Sequence, residues 1–134
     1  MKKLAVAMIH GIGSQGPKRP ADSSDATYSK ALQKKLKSEL GAARFGHIAV
    51  REIFWSDILQ GRQETYLASI KRRTRYDDLR AFVLCNLSDA SAYRMNAADA
   101  RDDTYGRIHR RVRDVIAELE SDCTPDAPLV VMAH

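Results

Sequence analysis

Cysteine is scarce and scattered. Cys85 and Cys123 are the only two in 134 residues, and neither has a second Cys or a His at ligand spacing. That rules out a disulfide framework and a zinc site, and two buried or half-buried thiols are expected instead. The four histidines, His10, His47, His109 and His134, are equally dispersed, so no metal is expected. Long hydrophobic runs are missing too. None approaches the ~20 residues of a transmembrane helix, so stable membrane insertion is not expected. Met1-Lys2-Lys3 ahead of Leu4 to Ile9 imitates the opening of a signal peptide. The run is too short, however, and meets His10-Gly11 instead of a small-residue cleavage pattern. The expected location is cytoplasmic.

Aromatic residues make up 7% of the chain. Few of them interleave with the basic residues, which argues against a stacking platform for single-stranded nucleic acid. The net charge of +5 comes partly from Lys71-Arg72-Arg73 with Arg75, and from Arg107, Arg110, Arg111 and Arg113. In the second cluster Ile108, Val112, Val115, Ile116 and Leu119 recur at steps of three and four. They form one helical face, which assigns the arginines to the solvated sides. No nucleic-acid partner is expected. With 44% hydrophobic and 29% charged residues, the composition excludes disordered, collagen-like and coiled-coil classes, and the length suits one domain.

The patterning that is present alternates strand and helix. Lys3 to Ile9 is a short continuous apolar run, as expected of a strand buried on both faces in a parallel sheet. Gly11 to Ser24 holds three glycines, two prolines and three serines and reads as a loop. Ser23 or Ser24 is positioned to cap the next helix, with Asp25 in its first turn. That helix carries Tyr28, Leu32, Leu36 and Leu40 on one stripe and stops at Gly41. Ile48 to Trp55 reads as a second strand, completing a βαβ unit. Ser56 to Ser69 and Asp77 to Leu87 read as helical. A short helical stretch starts at Ser88-Asp89, and Asn96 to Asp103 reads as loop. Thr104 to Asp122 is the amphipathic helix. Thr124-Pro125-Asp126-Ala127-Pro128 must turn, and Leu129 to Ala133 is a third buried strand. The fold class is therefore α/β, with at least three parallel strands and a helical insertion over residues 56–103. An apolar strand at the last residues would leave a bare sheet edge, so the expectation is that residues 1–134 are the amino-terminal part of a longer domain.

The loop after the first strand has two functional readings and one plain one. Gly11-Ile12-Gly13-Ser14-Gln15-Gly16 matches G-x-G-x-x-G, the dinucleotide fingerprint, directly after a strand. Pro17-Lys18-Arg19-Pro20 then postpones the helix whose amino end should face the pyrophosphate. The acidic residue expected at the tip of the second strand is also missing, since Glu52 lies too far along and inside its strand. In the second reading His-Gly-x-Gly is the unit, its backbone N–H groups stabilising the oxyanion of an acyl-transfer intermediate. The plain reading is a tight strand-to-loop turn without chemistry.

Pro128-Leu129-Val130-Val131-Met132-Ala133-His134 is similar to the strand feeding the nucleophile elbow of α/β-hydrolases, where small-x-Ser-x-Gly sits at a strained turn. The first strand with His10-Gly11-Ile12-Gly13 resembles the oxyanion strand and loop of the same superfamily. The likeness continues through Phe54-Trp55-Ser56-Asp57, Ser88-Asp89-Ala90-Ser91-Ala92-Tyr93 and Tyr105-Gly106-Arg107-Ile108-His109. The chain thus resembles the amino-terminal half of bacterial lipase- or esterase-like α/β-hydrolases. The resemblance implies a serine nucleophile directly after His134, so that this chain holds no catalytic triad member. It makes the backbone N–H of Ile12 the first oxyanion donor, with Gly11 and Gly13 shaping the loop. His10, Ala133 and His134 would support the site, and His134 would not be the triad base. Ala133 stands where many members have Gly, a mild departure. The implied ligand is a small-molecule ester or other acyl substrate, with no cofactor. Residues 56–103 would lie above the site, where Tyr66, Leu67, Ile70, Phe82, Val83 and Leu84 line an acyl-binding lid or pack as core. The competing reading is a non-catalytic α/β-hydrolase-like binding module, and behind it a dinucleotide-binding domain.

Overall fold

A computed structural model describes residues 1–11, 22, 24–59, 65, 68, 83 and 103–133. Three strands, β1 (Leu4–Ile9), β2 (Ile48–Ile53) and β3 (Leu129–Ala133), form one parallel sheet in the order β2-β1-β3. Helix α1 (Lys30–Phe45) joins β1 to β2, and α2 (Thr104–Asp122) precedes β3. The architecture is α/β. The described residues belong to two compact units. One comprises those of Met1–Gly11, Pro20–Phe54 and Arg110–His134, and the other includes those of Trp55–His109.

In the first unit the central strand is the core. Ala5, Val6, Ala7 and Met8 are all buried, because β1 has a strand on each side and its apolar run carries no alternation that could turn one face to water. Val115, Leu119 and Cys123 contribute the buried stripe of α2 and its end. The same helix is tied to the sheet by polar contacts. Arg51 of β2 pairs with Asp122 at 2.5 Å and lies 3.9 Å from Glu118. The amide of Lys2 donates to the Asp122 carbonyl at 2.9 Å and that of Thr124 to the Lys2 carbonyl at 2.8 Å. The Pro125–Pro128 segment turns as its prolines require, with Ala127 N–H donating to Thr124 O. In the second unit Trp55, Ile58, Leu59 and Ile108 are buried. Within it 57–59, Thr65, Ala68 and Val83 are helical; apart from Ser56 and Asp103, the rest of the insertion lies outside the described residues.

Three expectations need correction. β3 forms over Leu129–Ala133 but is exposed along its whole length, Val131 at 57%. Among the described residues it lies beside β1 at one edge of the sheet, as β2 does at the other, but its side chains are uncovered, which an apolar run without alternation does not reveal. Neither Ser23 nor Ser24 starts the helix. Ser23 is outside the described residues, and the Ser24 N–H and hydroxyl both donate to Asp22 at 2.8 Å. Helix α1 begins after Ser29, whose side chain is engaged elsewhere. The stripe of α1 is also less covered than its spacing predicts. No residue of the helix is buried, and Leu32 and Leu40 remain more than one-third exposed.

The expected stop at Gly41 survives as a break. Helical structure runs on to Phe45, but Gly41 adopts φ 78° and ψ 158°, a region open essentially to glycine alone. Nothing lies within 4 Å of where a Cβ would sit, so only the backbone opposes a side chain there. Gly41→Ala is expected to destabilise the protein by about 1–3 kcal/mol. A urea titration showing no loss would mean that the kink is dispensable.

Candidate functional site

The parallel register brings three strand ends to one level. Ile9 pairs with Ile53 on one side and with Ala133 on the other, so β1, β2 and β3 all discharge at the same edge of the sheet. In open parallel α/β sheets that carboxyl edge is where ligands bind. The residues leaving it here include His10-Gly11 and Phe54. Ile12, Gly13 and His134, three of the expected site residues, lie outside the described residues, as do Tyr66, Leu67, Ile70, Phe82 and Leu84. Val83 is described and is 44% exposed, so it is not a core contact.

His10 is 2% exposed. Its ring is met edge-on by Tyr28 and by Phe54, each at 5.3 Å between centroids, the geometry that aromatic quadrupoles favour. Its Nδ1 is 2.9 Å from the Gly11 carbonyl oxygen. A carbonyl only accepts, so Nδ1 carries the proton in this contact. The imidazole therefore holds the Gly11 carbonyl just beyond the end of β1.

Tyr28 was legible only as one more apolar stripe position. It lies just before α1, and its hydroxyl donates to the Met8 carbonyl at 2.5 Å. Burial, and then the charge of Glu52, push its phenol above the ordinary tyrosine value. In the unfolded chain the same phenol ionises near pH 10. A group whose folded value is raised supports the fold fully below that pH and loses its contribution as pH rises past it. Stability is therefore expected to fall above about pH 10, and less steeply in Tyr28→Phe. Urea midpoints of both proteins across alkaline pH check this; parallel curves would contradict it.

Glu52 is not at the tip of its strand, in keeping with its spacing, yet it is far from idle. It is 3% exposed and collects four hydrogen bonds from one short segment. Oε1 accepts from the amides of Thr27 (2.9 Å) and Ser29 (2.7 Å) and from the Ser29 hydroxyl (2.5 Å). Oε2 accepts from the Thr27 hydroxyl at 2.5 Å. A carboxyl side chain inside a strand, between Arg51 and the apolar Ile53, was the signal for such a network, because buried polar groups require partners.

Arg111 corrects the assignment of every arginine of α2 to solvent. Arg107, Arg110 and Arg113 are exposed, but Arg111 is half-buried and donates from Nη1 to the Phe54 carbonyl at 2.6 Å. It lies three residues after Ile108 and four before Val115, both buried, so it shares their face of the helix. That spacing was the missed signal.

Among the described residues no group of three or more His, Cys, Asp or Glu could hold a metal ion, and no helix is long and apolar enough to cross a membrane. No protein-family model, curated protein or solved structure matches the chain.

Proposed function

We propose that this chain carries the oxyanion side of a serine-dependent α/β-hydrolase acting on small-molecule esters or related acyl bonds. The supporting observation is the pairing of Ile9 with Ala133. In acyl transfer the nucleophile and the oxyanion donors must both lie within ~3 Å of positions on one carbonyl group. The strand that ends in His10-Gly11 and the strand that ends in Ala133 must then be neighbours. They are, at the ~4.8 Å spacing of paired strands and in parallel register. The order β2-β1-β3 adds to this: the chain runs from β1 to one side and returns on the other, the arrangement that opens a ligand crevice between β1 and β3.

In this reading the serine follows His134, and its Oγ attacks the acyl carbon. The N–H of Ile12 and that of the residue after the serine receive the developing oxyanion. Gly11 and Gly13 shape the loop, His10 holds its first turn, and Ala133 leaves room beneath the elbow. His134 is not the base. The dinucleotide alternative gains nothing from the geometry, because Glu52 is occupied by Thr27 and Ser29 and the first described helix after β1 starts at Lys30.

The test is the intact mass of the protein expressed from its own gene, before and after treatment with a fluorophosphonate. One phosphonyl group per chain on the residue following His134 is expected. No adduct, or one elsewhere, overturns the proposal and leaves the non-catalytic binding module.

A further inference from the structure

Glu52 is a costly way to start a helix. A serine or aspartate before Lys30 would cap α1 locally, but Ser29 makes no capping bond of its own and turns its hydroxyl to the carboxylate of a strand residue 23 positions away. Four hydrogen bonds tie that carboxylate to Thr27 and Ser29, the two residues flanking Tyr28. A buried carboxylate so held has one geometry, since each oxygen is committed to fixed donors. Tyr28 is therefore clamped from both sides in sequence. Its hydroxyl is anchored on Met8 O, its ring meets the ring of His10, and His10 in turn bonds Gly11 O.

We infer that Glu52 is a positioning residue for the His10-Gly11 turn, acting through the 27–29 segment and the ring of Tyr28. Its value for catalysis rests on the proposed oxyanion role of that turn; its effect on His10 does not. The carboxylate touches no substrate in this scheme. Through Tyr28 it fixes the orientation of the His10 ring, which keeps Nδ1 within reach of the Gly11 carbonyl and so maintains the contact that selects the Nδ1–H tautomer. Glutamine in its place keeps the volume but offers one acceptor oxygen and turns an NH2 toward groups that are themselves donors.

The experiment is long-range proton–nitrogen NMR of the histidine rings in the 15N-labelled protein near neutral pH, with His10 assigned from the signal lost in His10→Asn. Wild type is expected to show His10 protonated at Nδ1. In Glu52→Gln its ring nitrogens are expected to move toward an average of the two tautomers, and in Thr27→Val to move the same way by less. Tyr28→Phe should also move them, and adding Glu52→Gln to it should move them little further, because both changes break one chain of contacts. A folded Glu52→Gln protein with unmoved His10 signals overturns the inference. So do additive shifts in the double variant. Should Glu52→Gln fail to fold, unmoved signals in Thr27→Val overturn it instead. No serine or ester enters this measurement, so its failure is distinct from a failure of fluorophosphonate labelling.

Discussion

Trp55→Ala is expected to destabilise the protein by about 3–5 kcal/mol, the range for truncating a large buried aromatic. Trp55 is the sole tryptophan and is completely buried, directly after β2. An indole of this kind removes roughly 150–250 Å² from water, and at about 25 cal/mol per Å² that corresponds to ~4–6 kcal/mol as an upper bound. Domains of this size are stable by only about 5–15 kcal/mol, so the substitution consumes a large part of the margin. With an unfolding entropy of ~2 cal/mol/K per residue, the melting temperature should fall by about 10–20 °C. Trp55→Phe, which keeps most of the volume, should cost much less. Circular-dichroism melting of the three proteins checks this; a loss under ~1 kcal/mol in Trp55→Ala would mean that the site collapses around the cavity with little penalty.

On the proposed hydrolase reading, Ile12→Pro is expected to lower kcat for ester hydrolysis by about 10²–10³-fold with KM little changed, because proline would delete the N–H donor that the proposal assigns to the oxyanion hole. The split follows from where the bond is made. A donor aimed at the tetrahedral oxyanion acts in the transition state and not on the bound ester, so its loss appears in kcat. Ile12→Ala retains the N–H and is the matched control, expected to stay near wild type. Equal losses in both variants would assign the effect to the isoleucine side chain and remove Ile12 from the oxyanion hole.

The elements of the fold were legible where periodicity was strong. Lys3 to Ile9, Ile48 to Trp55 and Leu129 to Ala133 read as strands because short apolar runs bounded by Gly, Pro or polar residues have few alternatives. Thr104 to Asp122 read as a helix with the bounds it has. What failed was position within the sheet. Val130-Val131-Met132 without alternation looks the same whether or not its faces are covered, and the two edge strands differ in just that: β2 has buried side chains and β3 has none. Of the residues proposed for the site, His10-Gly11 and Ala133 stood out in the sequence because their glycine and strand context are local. The site's supports did not. Glu52 reaches across 25 residues to Thr27, and Arg111 crosses 57 to Phe54. No local rule pairs residues so far apart. The charged side chains themselves, one inside a strand and one on an apolar helix face, were the visible trace of those contacts.

The central claim is that the ends of β1 and β3 enclose one acyl-transfer site. It is tested most directly by amide NMR of the 15N-labelled protein before and after fluorophosphonate treatment. A phosphonyl oxygen seated in the oxyanion hole should shift the N–H of Ile12 and of the residue after the modified serine more than any others, with smaller shifts at Gly11 and Gly13. Phosphonylation that leaves Ile12 unmoved while shifting amides elsewhere would contradict the account.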